Sequence, residues 1–152
     1  ATVYAVDINP SKLQAAAALG ATPIDGEGDA AAAITEAGGA DVALDLVGSA
    51  TVMQQSLNVL KPMGRAVAVG LTPASFPVGP YTVLVIGECE LFGASDHLAS
   101  EIVELLGLAA DGKLFLTSVV LATVPLDVDA INGALDDLER FGDTVRTVIA
   151  PS

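Results

Sequence analysis

The stretch ATVYAVDINPSKLQAAAALGATPI, residues 1–24, decides the fold class. Ala1 to Val6 is a short apolar run rich in strand formers, and it ends at Asp7. Asn9-Pro10 then starts a helix, with Asn9 as its cap and Pro10 in the first turn. Leu13 and the run from Ala15 to Leu19 continue it, and Gly20 stops it. Thr22 to Ile24 reads as the next strand. Strand, helix and strand in so short a stretch is the signal of a parallel crossover unit.

The pattern repeats outward from there. Asp25 to Asp29 is an acidic loop, and Asp29 caps a helix through Ala37 that Gly38-Gly39 ends. Val42 to Val47 is a clear strand. Ser49 caps a helix through Leu60, Lys61-Pro62-Met63-Gly64 reads as a turn, and Arg65 to Val69 is a strand ending in Gly70. A loop holding Pro73, Pro77 and Pro80 follows. Tyr81 to Ile86 fits a helix or an extended segment equally well, and Glu90 to Gly93 is a short strand. Asp96 caps a helix to Asp111 with Leu98, Ile102, Leu105, Leu106 and Ala109 on one face, and Gly112 stops it. Leu114 to Val124 reads as extended. Asp127 caps a final helix through Phe141 with Ile131, Leu135 and Leu138 as its stripe, and Thr144 to Ile149 is the last strand. Strands alternating with helices predict an α/β fold with a mostly parallel, doubly wound sheet. Ligands on such sheets sit at the carboxyl ends of the strands, which makes Asp7, Val47, Gly70 and Ala94 candidates for one crevice.

Composition narrows the function. The 152 residues amount to one domain by size, and 52% are hydrophobic, so a core is available and disorder is excluded. No apolar run is long enough for a transmembrane helix. Six Lys and Arg stand against 19 Asp and Glu, a formal charge of −13, and such a surface repels nucleic acid and anionic lipid. One cysteine, Cys89, excludes an internal disulfide and a multi-cysteine zinc site, and one histidine, His97, excludes a two-histidine metal site. No basic region precedes an apolar stretch at Ala1, so no signal peptide is expected and the expected setting is the cytoplasm.

The strand ends carry the chemistry. A carboxylate at Asp7 can accept two hydrogen bonds from a ribose diol and repels a ribose 2′-phosphate, which selects NAD over NADP. Asp7 also suits a plain strand-to-helix turn, and residue type alone leaves both open. Lys12, one helical turn in, reaches the same ribose or its phosphate, or is a solvated lysine. Gly48 and Gly70 after strands permit close backbone approach to a ligand, or simply a turn. Arg146 is read inside the last strand, where a charge needs a phosphate, a carboxylate or a salt-bridge partner. Cys89 lacks a nearby histidine for nucleophilic work, His97 reads as a surface residue, and Asp25, Glu27 and Asp29 read as a solvated loop.

Residues 6–13 (VDINPSKL) with 19–22 (LGAT), 39–48 (GADVALDLVG), 60–70 (LKPMGRAVAVG), 110–114 (ADGKL) and 145–149 (VRTVI) resemble, in this order, successive steps of the medium-chain, zinc-dependent alcohol dehydrogenase family. The resemblance implies a Rossmann-like dinucleotide domain, partial over 1–112, followed by a C-terminal return segment over 113–152. It implies that Asp7 holds the adenosine ribose, with Ile8 and Lys12 beside it. Leu46 and Val47 would flank the adenine, while Val69, Gly70, Leu71, Ala94 and Ser95 would lie on the nicotinamide side. Arg146 would contact the pyrophosphate. Ser49 stands where some members carry an arginine, which departs from the pattern. The family's glycine-rich phosphate turn and its zinc ligands have no counterpart in these residues, so the expectation is a downstream segment of a longer dehydrogenase, with the fold incomplete at the N-terminus. NAD is the expected cofactor, zinc is expected in the parent enzyme but not on this segment, and the expected partners are an alcohol or ketone substrate and further copies of the chain, as a dimer or tetramer. Two other readings stay open: a zinc-free quinone or enoyl reductase of the same superfamily, and a non-catalytic nucleotide-binding module.

Overall fold

A computed structural model of the chain describes residues 1–79, 81–114, 122–140 and 142–151. In chain order its elements are β1 (Tyr4–Asp7), α1 (Pro10–Ala18), β2 (Thr22–Asp25), α2 (Ala30–Glu36), β3 (Ala40–Asp45), α3 (Ala50–Asn58), β4 (Leu60–Ala68), α4 (Tyr81–Gly87), β5 (Glu90–Gly93), α5 (Ala99–Ala110), β6 (Ala122–Pro125), α6 (Val128–Glu139) and β7 (Thr147–Ala150). They fall into two compact units, residues 1–26 with 97–152, and residues 27–96.

The first unit opens on the predicted crossover. Asn9 is extended, and its side-chain oxygen accepts from the Ser11 amide at 2.8 Å. That satisfies one of the amides a helix start leaves without a partner, and Pro10 has no N–H to lose there. The chain returns as β2, parallel to β1, with Tyr4 opposite Thr22 and Asp7 opposite Asp25. Later in the chain β6 and β7 form a second parallel pair, Ala122 opposite Thr147 and Pro125 opposite Ala150. Helix α6 starts as expected, Asp127 Oδ1 accepting from the Asp129 and Ala130 amides at 3.0 Å each.

One expectation is corrected in this unit. Asp96 does not cap α5; it lies too far upstream, in a left-handed conformation (φ +57°). The Leu98 amide instead donates to Glu101 Oε2 at 2.6 Å, so a carboxylate reaching back from the first turn does the capping. The apolar stripes are not buried: Leu98, Ile102, Leu105 and Leu106 of the α5 region and Leu135 and Leu138 of α6 are exposed. The extended reading of residues 114–124 is met by β6 at its end, and 115–121 lie outside the described residues, as does Phe141.

The second unit is a three-stranded parallel sheet in the order β3-β4-β5. Leu44 faces Val67, and Val67 faces Phe92. Its core is Met53 and Leu57 of α3 against Ala66 of β4, with Leu60, Ala68, Phe76 and Leu84 packed around them. Leu57 is 1% exposed. The ambiguous segment at 81–86 is helix α4, which brings Leu84 to this core. The turn expected at Lys61–Gly64 is a bulge within β4: pairing passes from Ala40 opposite Leu60 to Val42 opposite Arg65, and Met63 is left-handed (φ +62°). A bulge leaves the extra residues without ladder partners but keeps the strand direction.

Among the described residues every strand pairing is parallel. All described buried residues belong to the second unit.

Candidate functional site

Parallel strands end on the same edge, so the second unit has one carboxyl edge, formed after Asp45, Ala68 and Gly93. Seven expected site residues stand there: Leu46 and Val47 after β3, Val69, Gly70 and Leu71 after β4, Ala94 and Ser95 after β5. Hydrogen bonds tie the three ends together. The Asp45 carbonyl accepts from the Val69 amide at 2.9 Å and the Gly70 amide at 2.8 Å, and the Ala68 carbonyl accepts from the Ala94 amide at 2.9 Å.

The approach of the first two ends is as close as a backbone allows. Gly48 has φ +77°, and a Cβ there would stand 2.7 Å from the Leu71 carbonyl oxygen and 2.8 Å from its nitrogen. A Cβ on Gly70 would collide with the Gly48 nitrogen and the Val47 carbonyl carbon. Both glycines are therefore needed for the crossing itself, and the crossing sets Leu46, Val47 and Leu71 on one rim with their side chains exposed.

Sequence reasoning missed Asp45. It ends β3, is 3% exposed, and its Oδ1 accepts from the Val47 amide at 2.9 Å and the Gly48 amide at 3.0 Å. A buried carboxylate is costly unless its bonds are made, and here backbone amides make them. The signal was present: an acid inside the apolar run V-A-L-D-L-V is the same anomaly that drew attention to Arg146.

Asp7, Ile8, Lys12 and Arg146 lie in the first unit. Asp7 is half-buried at the carboxyl end of β1, and its Oδ1 accepts from the Asn9 amide at 2.8 Å. Ile8 is exposed, and Lys12 is half-buried on the first turn of α1. Arg146 is corrected: it precedes β7 rather than lying within it, and it is exposed, so solvent removes the cost that called for a buried partner. The segment before β7 approaches the β1–α1 turn, where Asn9 Nδ2 donates to Asp143 Oδ1 at 3.2 Å.

Cys89 is half-buried, its thiol donating to the Lys61 and Gly87 carbonyls at 3.5 and 3.6 Å. It lines an apolar groove with Leu57, Leu60, Pro62, Val83 and Ile86 at the amino end of β4. That is the opposite end of the strand from Gly70.

Residues 1–111 match the profile of the family described as zinc-binding dehydrogenase. The chain belongs to that family. The chain is 33% identical over 153 residues to a probable zinc-binding alcohol dehydrogenase of Mycobacterium tuberculosis, covering 99% of this chain and 39% of that protein. It is 27% identical to an NAD-dependent alcohol dehydrogenase of Sulfurisphaera tokodaii, covering 99% of this chain and 44% of the relative. Among solved structures it is similar to benzyl alcohol dehydrogenase from Acinetobacter calcoaceticus, with a TM-score of 0.86, 31% identity, and coverage of 100% and 43% of the two chains. The chain thus spans about two fifths of the length of these curated relatives.

The resemblance implies a dinucleotide and, in the parent enzyme, zinc. A ribose diol suits the half-buried carboxylate that ends β1 in the first unit. Among the described residues no three His, Cys, Asp or Glu side chains come together to hold a metal ion. No helix among them is long and apolar enough to cross a membrane.

Proposed function

We propose that this chain is the NAD-binding portion of an oxidoreductase that transfers hydride between an alcohol or ketone and nicotinamide. The alcohol carbon would give hydride to NAD⁺ and its hydroxyl would release a proton, leaving the ketone and NADH. NAD supplies the hydride chemistry, and this chain's part is to bind and orient it. The observation that carries the reading is the Asp7 carboxylate at the end of a parallel strand, one oxygen held by the Asn9 amide. The other oxygen is the ribose acceptor in this reading, with Ile8 and Lys12 beside it. Leu46 and Val47 flank the adenine, and Val69, Gly70, Leu71, Ala94 and Ser95 border the nicotinamide side. Arg146 pairs with the pyrophosphate.

Zinc would belong to residues of the parent enzyme outside this chain. The division into residues 1–112 for the cofactor and 113–152 as a return segment, a cytoplasmic location, and assembly as a dimer or tetramer complete the proposal.

Steady-state kinetics on the product of the complete reading frame test it. The wild type should prefer NADH over NADPH by about tenfold or more in kcat/KM, and Asp7→Asn should raise the KM for NADH by about tenfold. Preference for NADPH in the wild type would overturn the assignment in favour of the quinone or enoyl reductase branch. Absence of any nicotinamide turnover would favour a non-catalytic module.

A further inference from the structure

Asp45 touches both halves of the glycine crossing, and it does so with two different groups. Its side chain holds the β3 end, through the Val47 and Gly48 amides. Its backbone carbonyl holds the β4 end, through the Val69 and Gly70 amides. Four amides at the carboxyl edge of this unit therefore converge on one residue. Asp45 as a whole is 3% exposed, so solvent competes little for these bonds. The side chains it aims are the opposite: Leu46, Val47 and Leu71 stand exposed, and Leu71 is 97% accessible. An apolar rim in water is held in place by its backbone, and its backbone here is held by Asp45.

We propose that Asp45 is a positioning residue for the cofactor: it sets the spacing of the 46–48 and 69–71 segments, and through them the apolar rim that receives the dinucleotide. The inference rests on the NAD-binding reading above. Asp45 itself touches no cofactor atom in this scheme. The requirement is for one acceptor oxygen at a fixed place, not for a negative charge, because the donors it faces are neutral amides. The side-chain length is fixed too, since the oxygen must reach amides two and three residues along the chain.

The test uses the product of the complete reading frame. Asp45→Ala leaves two buried amides without their acceptor, and it should raise the KM for NADH about tenfold or more while kcat stays within about threefold. Asp45→Asn keeps an acceptor oxygen and should restore the KM to within about threefold of wild type. Asp45→Glu keeps the charge but displaces the oxygens by one methylene, so it should behave as the alanine variant does, and it stands in for that variant if alanine prevents folding. A KM for NADH unchanged in both Asp45→Ala and Asp45→Glu would overturn the inference alone. So would an asparagine variant as impaired as a folded Asp45→Glu. Failure of the wild type to bind NADH, read by fluorescence titration, would overturn the NAD reading and this inference with it.

Discussion

Gly70 and Gly93 both follow apolar strand residues, yet the structure gives them opposite demands. A Cβ on Gly70 would meet the backbone of Val47 and Gly48, which belongs to a neighbouring strand end and has no room to yield. A Cβ on Gly93 meets nothing within 4 Å. Gly70→Ala should therefore destabilise the protein by more than about 2 kcal/mol, and Gly93→Ala should stay within about 0.5 kcal/mol, as read from urea unfolding midpoints. The sequence places Gly70 and Gly93 at strand ends, but not which one has a backbone pressed against it, because close approach is a property of two segments far apart in the chain. Asp45 was hidden for a related reason. Its value comes from the amides it meets, and residue type reveals only that a charge inside an apolar run needs an explanation. Arg146 raised the same alarm and proved exposed, so that signal marks positions to inspect rather than roles.

At the level of elements, local chemistry was the most legible layer. Asn9, Asp29 and Asp127 each accept from an amide of the helix they precede, as their residue types predict. Ser49 occupies the same place before α3 but makes no side-chain capping bond. Asp127→Ala should cost about 1 kcal/mol of stability, and Ser49→Ala only a few tenths, measured side by side by urea unfolding. The expectations that failed needed partners at a distance. The Asp96 cap lost to Glu101, whose side chain reaches back a full turn. The stripes on α5 and α6 mark faces suited to burial, but periodicity states only that a face is apolar and not that anything covers it. The bulge at Lys61–Gly64 read as a turn because proline and glycine signal a break in the ladder. They do not say whether the strand resumes in the same direction.

The whole molecule divides its burial unevenly. The second unit holds Met53, Leu57 and Ala66 as a true core, whereas no described residue of the first unit is buried. Parallel pairing in order, with helices between, was readable from alternation alone. Segregation of burial was not, because it depends on which strands find neighbours: β1 with β2, and β3 with β4 and β5.

The three-stranded sheet has a further consequence for how copies of the chain behave together. Among the described residues its outer strands each use one hydrogen-bonding side, and their exposed residues include Val42, Leu44, Leu91 and Phe92. Such edges are templates for another chain's strand. The formal charge of −13 opposes that encounter at a distance. The charge is thus a colloidal barrier, and its reach is set by dissolved ions, falling from about 10 Å at 0.1 M salt to about 3 Å at 1 M. Light scattering from the 152-residue chain should accordingly stay flat at low salt and climb as sodium chloride is raised, with lysine placed at Leu44 (Leu44→Lys) blunting the rise. The acidic surface, silent about catalysis, is expected to keep copies of this chain apart in dilute salt.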